Sequence, residues 1–122
     1  MGHGVKLTEI VEKMDLKNLT PKVELVDREV NVPDVNRPAL QLVGFFDHFD
    51  SNRVQIIGNV EYNYLKTLTE EKKTKVYHEL LEYKLPCVIF SKSLQPDEIF
   101  LDLAEQHDVP VFNTTNRTSA FT

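Results

Sequence analysis

The run Val54-Gln55-Ile56-Ile57-Gly58-Asn59-Val60 decides the fold, because four residues of strand character pass through a glycine into a helical pattern that starts at Val60. The layout returns twice. Cys87-Val88-Ile89-Phe90 is followed by a helix from Pro96, and Val109-Pro110-Val111-Phe112 by a final turn from Asn116. Strand-length apolar runs alternating with helices predict an α/β fold whose mostly parallel sheet is covered on both faces. Right-handed crossovers then leave few topologies.

The helices around this frame carry their own marks. Thr69 with Glu70 and Glu71 makes an acidic first turn, and Val76, Tyr77, Leu80 and Leu81 give the buried stripe of the longest helix. Pro96 with Asp97 and Glu98 opens the next helix. Ile99, Phe100, Leu103 and Ala104 face inward there, and His107 lies near the end where the helix dipole favours a cation. Near the N-terminus Leu7, Ile10, Val11 and Met14 fall at i, i+3, i+4 and i+7, which predicts a short amphipathic helix capped by Thr8. From Leu16 to Val32 the pattern changes to short β-type pieces, Val23 with Leu25 and Val30 with Val32, read as strands or a hairpin. Pro38 suits a first helical position, since its missing N–H has no partner there. Leu40, Leu42 and Val43 supply apolar contacts before Gly44 permits a turn, and Phe45, Phe46 and Phe49 form an aromatic cluster that reads as core bulk.

A chain of 122 residues fits one domain, and on folding it hides roughly two-thirds of its unfolded surface. Hydrophobic and charged shares of 41% and 27% are those of an ordinary globular domain. The single cysteine, Cys87, lies inside an apolar run, so it reads as a small buried hydrophobe and fits a reducing compartment. No apolar run approaches the roughly 20 residues that span a bilayer, and the N-terminus lacks a secretory layout, which makes a cytoplasmic location the expectation. Met1-Gly2-His3-Gly4 reads as a native start or a cloning remnant. The net charge of −5 argues against a nucleic-acid footprint, and Lys72, Lys73 and Lys75 beside Glu70, Glu71 and Glu79 read as a solvated helix face. The histidines His3, His48, His78 and His107 show no metal-ligand spacing, so no metal is expected.

A nucleotide-gripping loop of the form G-x-x-x-x-G-K-[ST] curls backbone N–H groups around phosphate oxygens. The glycines are Gly2, Gly4, Gly44 and Gly58, and no pair has that separation. Lysine precedes a hydroxyl residue at Lys66-Thr67, Lys73-Thr74 and Lys92-Ser93, but Leu65, Lys72 and Ser91 stand where the second glycine belongs. The loops and catalytic runs of protein kinases are missing as well. No catalytic residue is assigned.

Ligands of open parallel sheets bind beyond the carboxyl ends of the strands, where helix N-termini aim free N–H groups. Those ends are polar here: Gly58-Asn59 with Glu61, Ser91-Lys92-Ser93, and Asn113-Thr114-Thr115-Asn116-Arg117-Thr118-Ser119. The ligand-binding candidates are therefore Gly58, Asn59, Ser91, Lys92, Thr114, Thr115 and Arg117. Glycine admits close backbone approach, Lys92 and Arg117 neutralise an anion, and the hydroxyls orient it. Any solvated loop is polar too, and that reading competes.

The stretch Asp34-x-Asn36-Arg37-Pro38-x-Leu40-x-Leu42-x-Gly44-Phe45-Phe46 resembles the N-terminal domain of the HPr kinase/phosphorylase family. So do Arg53-Val54-Gln55-Ile56-x-Gly58, Glu61, Leu65 and Pro86-Cys87-Val88-Ile89. Ala39 departs from the pattern, since many relatives have glycine after the proline. The resemblance implies a three-layer α/β/α domain similar to the Mur ligase (MurE/MurF) N-terminal domain. It implies a cytoplasmic bacterial enzyme that phosphorylates a serine of the sugar-transport phosphocarrier HPr and reverses the reaction. ATP and magnesium would be handled by a separate C-terminal catalytic domain, into which the chain would continue, and the full-length enzyme would be a hexamer. This domain would then need no cofactor of its own and would serve regulation, assembly or partner positioning, with Asn36 and Arg37 as interaction candidates. The alternative is a stand-alone module of the same fold that senses a nucleotide or sugar phosphate at the strand ends.

Overall fold

The computed structural model describes residues 5–26, 28–30, 35–44, 46, 49, 51–92 and 94–114. In chain order their elements are β1 (Val5–Lys6), α1 (Leu7–Met14), β2 (Lys17–Asn18), β3 (Glu29–Val30), β4 (Val35–Asn36), α2 (Ala39–Leu42), β5 (Val54–Ile57), α3 (Asn59–Lys66), α4 (Glu70–Leu81), β6 (Val88–Phe90), α5 (Glu98–Gln106) and β7 (Val111–Asn113). Five strands form a sheet in the order β2-β7-β6-β5-β4, in which β4 to β7 run parallel and β2 joins β7 antiparallel. The fold is α/β with a mixed, mostly parallel sheet.

The four parallel strands lie side by side in chain order, and right-handed crossovers between them send every connecting helix to one face. Side-chain alternation shows the result. Ile57, Val88, Phe90 and Val111 point into a core with Leu42 of α2, Leu65 of α3, Leu80 of α4 and Phe100 of α5. Their neighbours Ile56, Ile89 and Phe112 point the opposite way, into a second core with Leu7, Leu16 and Val30. Because no crossover helix among the described residues reaches that second face, α1 covers it with Ile10, Val11 and Met14. The β1–β3 pair supplies Val30 beside them.

Several sequence expectations shift. Among the described residues no hairpin forms between Leu16 and Val30: Val23 and Leu25 lie outside strands, β3 pairs with β1, and β2 pairs with β7. That segment is held by distant partners, as the Leu19 N–H donates to the Val111 carbonyl at 2.9 Å and the Val111 N–H to Thr20 Oγ1 at 3.0 Å. Thr8 does not cap α1, which starts at Leu7 straight from β1, and the Leu7 N–H donates to the Arg28 carbonyl at 2.9 Å. Pro38 stands one residue before α2, a single turn, and Val43 is exposed. Gly44 adopts φ +97°, a conformation that favours glycine. α3 begins at Asn59, and α5 begins at Glu98 because Asp97 caps it, accepting the Phe100 N–H at 2.9 Å. Strands β6 and β7 start later than the apolar runs: Val109 donates its N–H to Ala104 at 2.9 Å and so closes α5.

Phe46 and Phe49 meet edge to face at 5.8 Å, and Phe46 stacks on Tyr83 at 5.2 Å against the larger core. Val32, Phe45, His48 and the final turn from Asn116 lie outside the described residues. No helix among the described residues is long and apolar enough to cross a membrane.

Candidate functional site

The carboxyl edge of the sheet is set by register. Ile57 lies opposite Phe90 and Phe90 opposite Asn113, so the next residues, Gly58, Ser91 and Thr114, form a row along that edge. All three are buried. The ladder continues through them, with the Ser91 N–H donating to the Ile57 carbonyl and the Thr114 N–H to the Phe90 carbonyl, each at 3.0 Å. Ser91 Oγ adds a longer contact of 3.4 Å to the same Ile57 carbonyl.

Of the other candidates, Asn59 is the exposed first residue of α3, and Lys92 is exposed in a left-handed conformation with φ +53°. Thr115 and Arg117 lie outside the described residues. The structure therefore aligns Gly58, Ser91 and Thr114 and leaves the side chains of Asn59 and Lys92 in solvent.

On the neighbouring strand, β4 ends at Asn36, three residues short of that row, and Arg37 follows it. Asn36 pairs in register with Gln55, and its Nδ2 donates to Gln55 Oε1 at 2.7 Å, while Gln55 Nε2 donates to the Arg53 carbonyl at 2.9 Å. Gln55 is fully buried, so these bonds keep its amide from being an uncompensated polar group. Arg37 forks onto Glu61: Nη2 reaches Oε1 at 2.8 Å and Oε2 at 3.0 Å, and Nε reaches Oε1 at 3.2 Å. The side chain of Glu61 is only 4% exposed against 42% for Arg37. A carboxylate so buried needs compensation, and planar guanidinium supplies it at two points.

Glu61 has a second tie. Its Oε1 accepts the Gly58 N–H at 2.7 Å, so the carboxylate fills the position at the start of α3 where a helix N-terminus attracts an anion. One acid thus joins Arg37 after β4 to Gly58 after β5. Sequence reasoning placed Glu61 among the polar strand ends but not in this pairing. Its three-residue separation from Gly58 is the local signal; the link to Arg37, 24 residues away, had none.

Two further groups lie apart from the edge. Cys87 is completely buried, and burial pushes its thiol up to about 12, which makes it an inert packing residue. His107 ends α5, and its Nε2 lies 2.9 Å from Nδ1 of His78 near the end of α4.

Comparison with known proteins adds the following. The family model described as HPr Serine kinase N terminus matches residues 5–122. The HPr kinase/phosphorylase of Lachnoclostridium phytofermentans is 44% identical over 119 residues, which cover 98% of this chain and 38% of that protein. The enzyme of the same name from Caldicellulosiruptor bescii is 38% identical over 113 residues, covering 93% of this chain and 36% of the relative. The chain thus spans little more than a third of the length of these relatives. Among solved structures, the CBS and DRTGG domains of the regulatory region of Clostridium perfringens pyrophosphatase, complexed with the activator diadenosine tetraphosphate, superpose with a TM-score of 0.64. That match has 16% identity and covers 95% of this chain and 44% of the other, so it speaks for the fold alone.

Proposed function

The chain belongs to the HPr serine kinase family, whose N-terminal domain it represents, and from that premise we propose that it acts as a non-catalytic regulatory or assembly domain. The observation that carries this reading is the family match over 5–122 in a stretch with no phosphate-gripping loop. On this reading phosphotransfer to HPr, with ATP and magnesium, belongs to a C-terminal catalytic domain beyond this stretch, in a cytoplasmic hexamer. The likeness to the Mur ligase N-terminal domain belongs to the same proposal.

The sheet edge supports a structural use of its polar groups. Gly58 offers its N–H to Glu61, Arg37 is committed to the same carboxylate, and the Ser91 and Thr114 backbones continue the ladder. Arg37 is then first a clasp between β4 and α3, and any docking role uses the part of its side chain that remains exposed.

The test compares three proteins for transfer of phosphate from ATP to HPr and for assembly state: this chain, the full-length protein, and the full-length protein without this domain. The reading expects no transfer by this chain, and transfer with altered assembly or altered response to effectors when the domain is removed. Transfer by this chain alone, or a truncated protein identical to the full-length one in rate, regulation and assembly, would overturn it.

A further inference from the structure

The outer surface of α3 differs from that of the other long helices. Among the described residues the exposed positions of α1 include Glu9 and Glu12, those of α4 Glu71 and Lys75, and those of α5 Glu98 and Asp102. A helix face that meets water normally carries such charges. Over its first two turns α3 exposes Asn59, Val60, Asn63 and Tyr64 instead, and no charge. Its acid, Glu61, is buried, and its lysine, Lys66, comes only at the last position.

The neighbouring helix continues this surface. α2 follows β4, the outermost strand on that side of the sheet, packs against α3, and exposes Ala39 and, at its C-terminal cap, Val43. Val60 is 69% exposed, Val43 59% and Tyr64 37%, so α3 and the end of α2 supply three of the six large apolar side chains that the described residues leave in solvent. Arg37, the exposed residue before Pro38, is already forked onto Glu61. Apolar and tyrosine side chains without charge are what set the centre of a protein interface apart from ordinary surface.

Size decides the occupant. A stable dimer buries roughly 800 Å² and about 20–30 residues on each partner. Half a dozen residues on two helices fall well short of that, so they would not hold a free second copy. A tethered partner needs less contact, because the linkage itself supplies a high effective concentration. The matching family model is that of an N terminus, and the match takes in 38% and 36% of the two bacterial relatives, so most of each relative lies C-terminal to it. Thr114, after β7, shares the edge row with Gly58, before α3, two strand spacings or ~10 Å away. Polypeptide leading on from β7 therefore starts close to this face.

We propose that the uncharged α2–α3 face is where the C-terminal part of the full-length polypeptide docks, with an apolar surface against Val43, Val60 and Tyr64 and polar groups against the amides of Asn59 and Asn63. The inference rests on the assembly reading above and deepens it by naming the face and its partner.

Thiol labelling tests it. Val60→Cys and Tyr64→Cys, with Lys75→Cys on the charged face of α4 as the control, are placed in this chain and in the full-length protein, and alkylation by iodoacetamide is followed by mass spectrometry of the peptide concerned. The native Cys87 is fully buried and stays silent. Labelling at positions 60 and 64 should slow at least about tenfold in the full-length protein, while the rate at 75 stays the same. Equal rates in the two proteins at both positions would overturn the docking face and leave the assembly reading standing. Slowing at 75 as large as that at 60 and 64 would show general shielding and overturn it too. So would protection that grows with the concentration of this chain alone, which would give the face to a second copy. The assembly reading fails on a different result, transfer of phosphate to HPr by this chain, so the two failures are told apart.

Discussion

Two polar clusters stand on the carboxyl side of one sheet and are built in opposite ways. At the edge, Glu61 is buried and balanced by the Arg37 fork and the Gly58 N–H, so the chain itself supplies the counter-charge. At the start of α5, Asp97 is one-third exposed and serves three donors at once, the Phe100 N–H, the Tyr77 hydroxyl and the Lys73 ammonium. The first arrangement closes a carboxylate off from water; the second ties α4 to the start of α5 and leaves its carboxylate partly in water. Proximity to strand ends therefore does not by itself make a ligand site. What matters is whether the chain has already supplied the counter-charge.

Removing one partner from each cluster sharpens this contrast. Arg37→Ala leaves a buried carboxylate without its cation and should cost about 3 kcal/mol, the low end for a broken buried pair because Arg37 is partly exposed. Urea unfolding measures it, and a loss below about 0.5 kcal/mol would place Glu61 in water. Asp97→Ala should cost less, about 1–2 kcal/mol from the helix cap and the lost hydroxyl bond, since solvent already reaches this carboxylate. If the Asp97 variant proved the more damaging, the two clusters would have exchanged roles.

Tyr77→Phe removes one hydrogen bond from the Asp97 cluster, worth about 1 kcal/mol at neutral pH. It also tests a pH dependence. Folding raises the Tyr77 pKa, so the stability it contributes is complete below about pH 10, where unfolded tyrosine starts to ionise, and declines as pH rises beyond that. Denaturant midpoints between pH 9 and 11 should fall more steeply in the parent chain than in Tyr77→Phe. Parallel curves would show a phenol open to water. Smallest of all, Lys66→Met should change stability by less than about 0.5 kcal/mol, because the residue is exposed.

The frame was legible where a segment was long enough to show a period. The strand character of Val54–Ile57, the stripe of Tyr77, Leu80 and Leu81, and the acidic first turn of Glu70 and Glu71 all reappear in the structure, with Thr69 standing just outside that turn as the cap. Two-residue strands carry no period, so β2 became visible only through β7, with Lys17 opposite Asn113. The placement of α1 on the second face follows from strand order, which no local pattern encodes. The row Gly58, Ser91, Thr114 was legible because each follows a strand. The use of its neighbours was not: the Arg37–Glu61 fork joins residues 24 apart, and Asp97 looked like a first-turn acid until it proved to be the cap. Lys73, grouped by sequence with a solvated face, is drawn in by that same aspartate, while Lys72 and Lys75 remain exposed.

The central contention, that the chain itself occupies the anion position at the sheet edge, is tested most directly at the Gly58 amide. Its resonance, with those of Ser91 and Thr114, should stay unchanged when inorganic phosphate or ATP is added to the native chain, because Glu61 already accepts its proton. A saturable shift of Gly58 with either anion would show a site open to ligand and contradict the account.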